Sequence, residues 1–294
     1  MAERISFYDQ ITRNKRKSVF LMVIVFLVLL LIGYVISKAF DPSSFFFIMI
    51  LSIIFSISYL LISYYNSDKI ALASVSAKPA NRNQYRQYYD SVEGLTLASG
   101  MPMPKLYIME NEQINAFASG RDPKHAVVCV TTGALKQLNK QELEGVLAHE
   151  LSHISNYDIR FITLVAVMVG MISIISQMFL RSMWFRSNDR DNKGNAIFIL
   201  LGIALAILAP IVVQLVQLAI SRKREFSADA TAVQFTRYPV GLMNALRKIK
   251  GDKPMKVNKA VAPLFMSDPF RVKVSNLLST HPDINERIRI LSRM

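Results

Sequence analysis

Four long apolar blocks constrain this chain more than any other feature. They run from about Ser18 to Ser37, Ser44 to Tyr64, Phe161 to Leu180 and Ala196 to Ile220, and none contains an internal Lys, Arg, Asp or Glu. A helix rises about 1.5 Å per residue, and a bilayer core needs about 20 apolar residues to cross it. A core helix of a soluble protein normally keeps a polar face. The blocks therefore predict two membrane hairpins, 18–37 with 44–64 and 161–180 with 196–220. The first block is too long for the apolar part of a cleaved signal, and a second span follows it almost at once.

Charge orients these hairpins. The formal net charge is +14, which suits either a nucleic-acid binder or a membrane protein with basic segments on the cytoplasmic side. The charges cluster beside apolar blocks, at Arg13, Lys15, Arg16 and Lys17 and again at Arg222, Lys223 and Arg224. No zinc-finger spacing or RNA-recognition consensus is present, so nucleic acid is not an expected partner. The N-terminus, residues 66–160 and residues 221–294 are then expected in the cytoplasm. Arg181, Arg186, Arg190 and Lys193, in the second outer loop, run against the same rule. The sequence thus leaves open whether the second hairpin crosses fully or only dips into the bilayer.

The segments between the blocks have mixed character. Residues 84–98 read as a helix, and Lys105–Met109, Ile114–Ala118 and His125–Thr131 as short strands. A helix begins near Asn139, where Asn139 and Glu142 have capping-box spacing. Leu143, Val146, Leu147, Leu151 and Ile154 give it one buried face. The single cysteine, Cys129, excludes an intramolecular disulfide and any multi-thiolate metal site. In its run of valines it reads as a core residue.

The chemistry lies on the helix that follows Asn139. His149-Glu150-Leu151-Ser152-His153 places two imidazoles one turn apart on one face, where both can hold one Zn²⁺. Glu150 is rotated about 100° from His149 and can serve as a general base without taking a ligand position. A catalytic zinc needs a third protein ligand. Glu225 alone would read as an exposed helix charge. However, the first motif precedes the third block and Glu225 follows the fourth, so a hairpin between those blocks would bring the two to one membrane surface. Asp229, four residues on, could accept the second ring N–H of a ligand histidine.

HELSH at 149–153, REFSADA at 224–230, Ser279-Thr280-His281-Pro282 and Arg287-Ile288 together resemble the HtpX group of membrane metalloproteases, relatives of the CAAX prenyl protease. Asn115–Gly120 and Thr131–Leu135 also resemble that group. The resemblance implies a gluzincin-like site with Glu225 as third zinc ligand, facing the cytoplasm and acting on misfolded or damaged membrane proteins. It further implies that Asn115, Ala116 and Phe117 form an edge where an extended substrate adds as a strand. His281 corresponds to a family histidine near the metal, suited to stabilising an oxyanion or entering the open zinc position; its plainer role is to start a helix before Pro282. Arg287 could order the same region, although an exposed helix charge is the commoner role.

The expected molecule is an α-helical integral membrane protein with a mixed α+β cytoplasmic zinc-protease domain. It divides at 1–65, 66–160, 161–220 and 221–294, sits multi-pass in the cell membrane, and has one Zn²⁺, the bilayer and polypeptides as partners. Two alternatives share the pattern: a prenyl-protein processing protease with the same chemistry, and a membrane scaffold with an inactive site. A small transporter would call for charged residues inside the spans.

Overall fold

The computed structural model describes residues 7–39, 42–166, 202, 222–255, 257, 259–267, 269 and 282–294. Apart from residues 161–166 and 202, the third and fourth apolar blocks lie outside the described residues, as does His281.

The first helix, α1, runs Phe7–Ala39, a length of 33 residues. It extends well before the apolar block because nothing between Phe7 and Ser18 breaks a helix, so the basic residues ride on its first turns. After a short 3₁₀ turn at Pro42–Ser44, α2 runs back over Phe45–Tyr65. Ile11–Tyr34 and Phe45–Tyr65 are both long and apolar enough to cross a membrane. The two helices approach closely at Gly33, where any Cβ would collide with the Ser52 side chain. Leu21, Val25, Val28 and Leu29 bury one stripe of α1. In contrast, α2 presents Phe46 at 76% and Phe55 at 60% exposure, with Ile50, Ile54 and Ile62 beside them.

Asn66 joins α2 to α3 (Ser67–Ser74), and α4 (Arg86–Ser99) ends on Gly100 in a left-handed conformation at φ 69°. Four strands form one sheet in the order β1-β2-β4-β3. They are β1 (Lys78–Pro79), β2 (Lys105–Met109), β3 (Ala116–Gly120) and β4 (Ala126–Thr131). β2 runs parallel to β4, while β1 and β3 are antiparallel to their neighbours. The strand expected at Ile114 begins two residues later. Side chains take over there, since Thr131 Oγ1 accepts from Asn115 N and an Asp252 carboxylate oxygen accepts from Ile114 N.

After α5 (Thr132–Gln137) comes α6, Lys140–Ser155. Its capping box forms in full: Asn139 Oδ1 accepts from Glu142 N at 2.9 Å and Glu142 Oε2 accepts from Asn139 N at 2.8 Å. The helix is buried on nearly every side from Leu143 to Ile154. It lies between β3 on one side and α7 (Arg222–Thr236) and α8 (Pro239–Gly251) on the other, with α9 (Ile284–Leu291) closing the far side of α8. Two glycines allow α6 and α8 to cross. A Cβ on Gly145 would stand 2.6 Å from Leu242 N, and one on Gly241 would strike the Gln141 carbonyl. Replacing Gly145 with Ala should therefore push the helices apart, at a cost of about 1–3 kcal/mol. A lowered thermal unfolding midpoint should report it, and an unchanged midpoint would contradict this packing.

Candidate metal centre

The two histidines of α6 and the glutamate of α7 meet in the interior. His149 Nε2 and His153 Nε2 are 3.2 Å apart. Glu225 Oε2 lies 3.5 Å from the first and Glu225 Oε1 3.6 Å from the second. Ligands about 2.0–2.2 Å from a tetrahedral zinc stand about 3.3–3.6 Å from one another. The three donors therefore have the spacing of three corners of such a tetrahedron, and two imidazoles with one carboxylate suit zinc chemically.

Each imidazole is turned by a carboxylate behind it. His149 Nδ1 is 2.9 Å from Asp229 Oδ1, one turn beyond Glu225 on α7. His153 Nδ1 is 3.2 Å from Asp158 Oδ2. A ring N–H directed at a carboxylate leaves the opposite nitrogen's lone pair facing the shared centre. Burial and the nearby Arg287 charge work against a protonated His149. The hydrogen bonds to Asp229 and Glu225 outweigh them and hold its pKa up at about 9. The surroundings of this ring thus favour positive charge.

Arg287 differs from the expectation of an exposed helix charge. It is 1% exposed. Its Nε and Nη2 donate to the two oxygens of Asp229 at 2.8 and 2.6 Å, and its Nη1 donates to the Met266 carbonyl at 3.3 Å. Its Nη1 also lies 3.6 Å from Glu225 Oε2. Sequence spacing could not reveal this, because α9 and α7 meet only in the folded chain. Asp229, although buried, is held below the usual carboxylate range by that guanidinium and by His149.

Asp158 went unremarked in the sequence. It follows Tyr157, which adopts a left-handed conformation at φ 59° and turns the chain at the end of α6. That turn aims the Asp158 carboxylate back at His153. The available signal was an acidic residue just past the second histidine, next to a residue pair that could end a helix. Cys129 lies in the core of β4, where burial pushes its thiol pKa up. His125 is a turn residue whose Nδ1 sits 2.8 Å from Asp122.

The edge at Asn115, Ala116 and Phe117, expected to accept an extended substrate, is covered in this structure. A strap of the chain's own residues lies along it. Met266 N donates to the Ala116 carbonyl at 2.9 Å, and Phe265 bridges to Phe117 with their rings edge-on at 5.3 Å. Asn115, itself buried, donates through Nδ2 to the Ser267 carbonyl at 3.2 Å. β3 ends the sheet, and its unpaired edge is satisfied by the nearest extended backbone, which belongs to the same molecule. Between Phe265, Leu264, Glu150, His153 and Glu225 remains a cavity of about 10 Å³, at the threshold for one water.

Comparison with known proteins decides the lineage. The model of peptidase family M48 matches residues 80–294. The chain belongs to peptidase family M48. A protease HtpX homolog from Thermoanaerobacter pseudethanolicus is 44% identical, over 99% of this chain and 99% of its own. Another, from Caldanaerobacter subterraneus subsp. tengcongensis, is 44% identical over 98% of this chain and 97% of its own. Among solved structures, the crystal structure of S. mikatae Ste24p matches 95% of this chain at 19% identity, with a TM-score of 0.48. The chain spans 65% of that protein's length. In this M48 member, Arg287→Ala would leave Asp229 buried and stripped of its bidentate partner. A loss of about 3–5 kcal/mol is expected, read as an early melting transition.

Proposed function

We propose that this M48 member is a membrane-bound zinc endopeptidase in which His149, His153 and Glu225 hold the metal and Glu150 is the general base. The observation that carries the reading is the convergence of three donors from two helices at zinc-ligand spacing, with a carboxylate behind each imidazole. Zinc held there supplies Lewis acidity, acidifying water and polarising the scissile carbonyl.

The chain's own groups supply the rest. Glu150 is buried and lines the small cavity beside His153 and Glu225. It accepts a proton from the attacking water and passes it to the amine nitrogen as the C–N bond breaks. Ile159, Ile162 and Leu264 line the same cavity, exclude bulk water and strengthen the electrostatic interactions within it. Arg287 and Asp229 hold His149 in place and touch no reacting atom. His281, outside the described residues, is retained as a candidate for oxyanion stabilisation.

The membrane reading rests on α2, whose apolar side chains are exposed along its length. Such a surface is stable in lipid and unstable in water. α1 carries its basic residues at the end nearest the metal centre, where Lys15 stacks on Tyr157 at 4.3 Å. Basic flanks favour the cytoplasm, which supports a cytoplasmic active site. Multi-pass placement with boundaries near 65, 160 and 220 belongs to the same proposal, as do misfolded membrane proteins as substrates. An extended polypeptide would take β3 by exchange with Phe265 and Met266, forming the same main-chain bonds.

Three variants bear on this. Glu150→Gln should retain stoichiometric zinc while casein cleavage falls by at least about 10²-fold, and Glu225→Ala should lose the metal; full turnover in the first variant would remove Glu150 from its role. Met266→Pro deletes the N–H that holds the strap to Ala116, so the protein should cleave an unfolded substrate faster, with lower KM. A slower enzyme with intact zinc would mean the strap builds the site instead of covering it.

A further inference from the structure

Asp158 collects partners from three parts of the chain. Its Oδ2 faces His153 Nδ1, while its Oδ1 accepts from Arg224 Nε at 3.0 Å and from Asn14 Nδ2 at 2.7 Å. All three partners and Asp158 itself are buried. Arg224 adjoins the ligand Glu225 on α7, whereas Asn14 lies 144 residues away in sequence, on α1.

Asn14 is tightly engaged. The same Nδ2 also donates to the Asn156 carbonyl at 2.9 Å, so its two amide protons clasp both ends of the turn that carries Tyr157. The neighbouring Lys15 lies over the Tyr157 ring. A left-handed conformation at a tyrosine costs about 1–3 kcal/mol and persists only when its surroundings enforce it. Asn14 and Lys15, both on the first apolar helix, are among those surroundings. We propose that Asn14 is a positioning residue of the metal centre, acting through Asp158 on the His153 ring, so that the seating of the first membrane helix sets how firmly the site holds its ion.

The inference rests on the zinc-site reading above and goes beyond it. Without Asn14, Asp158 keeps Arg224 and can swing towards that guanidinium, away from His153. The ring then loses the group that fixes its tautomer and direction, a change that commonly weakens metal binding about 10–100-fold. If Asn14 merely fastens α1 to the rest of the protein, its loss lowers the melting temperature and leaves the metal untouched.

The test uses the full chain in detergent micelles, loaded with Zn²⁺ for chelator competition and with Co²⁺ for visible absorption. Asn14→Ala should weaken Zn²⁺ binding about tenfold or more and shift the Co²⁺ bands. The double variant with Asp158→Ala should bind no more weakly than Asp158→Ala alone, because both act through one carboxylate. Ser18→Ala, one turn along α1 at a hydroxyl that bonds its own helix, should leave both readouts unchanged. Should Asn14→Ala fail to fold, Asn14→Ser retains a donor of shorter reach and should move both readouts in the same direction by less. Wild-type affinity and spectrum in a folded Asn14 variant, or losses that add in the double variant, would overturn the inference. A wild-type protein that binds no Zn²⁺ would overturn the metal site itself and this inference with it.

Discussion

Two imidazoles one helical turn apart hold a divalent cation well only if both rings are turned the same way and kept there. In this chain each ring has its own buried carboxylate, Asp229 behind His149 and Asp158 behind His153. Each carboxylate is in turn held by a buried arginine, Arg287 or Arg224. Buried charges of this kind are tolerable only when fully partnered. The rest of the fold can be understood as what brings those partners together: α7 beside α6, α9 across α7, and α1 reaching the end of α6.

That requirement explains why α6 packs so closely. Its N-terminus is fixed by the capping box, its middle by the glycine crossing with α8, and its C-terminus by the turn at Tyr157. Three constraints along sixteen residues leave little freedom in the direction of the histidine side chains. The sheet contributes on the opposite side, where β3 lies against the same helix and carries the strap across Glu150.

Much of this was legible in the sequence wherever the information is local. The capping box, the i,i+4 histidines and the strand at Lys105–Met109 are written in neighbouring residues, and the structure carries them at those positions, whereas the strand expected over His125–Thr131 begins at Ala126 because His125 closes a 3₁₀ turn. Glu225 required one non-local step, the pairing of the third and fourth apolar blocks as a hairpin, and it does reach the histidines, although most of those two blocks lies outside the described residues. What could not be read depends on contacts between distant segments. Arg287 resembles any helical surface arginine until Asp229 lies opposite it. Asp158 resembles a turn residue until Tyr157 adopts its left-handed conformation. β3 does end the sheet, starting at Ala116 and not at Asn115, but its cover comes from a stretch around Phe265 with no distinguishing pattern of its own.

The strap has a consequence for selectivity. Under the strand addition proposed above, a client polypeptide would meet no empty groove; it would meet a backbone already bonded to β3 and a phenylalanine already seated against Phe117. It would succeed only if its own extended stretch bonded better than the resident one, and a natively folded chain would have no such stretch free to offer. Discrimination between intact and unravelled proteins would then need no separate recognition module, since the enzyme's own residues set the bar each client must clear.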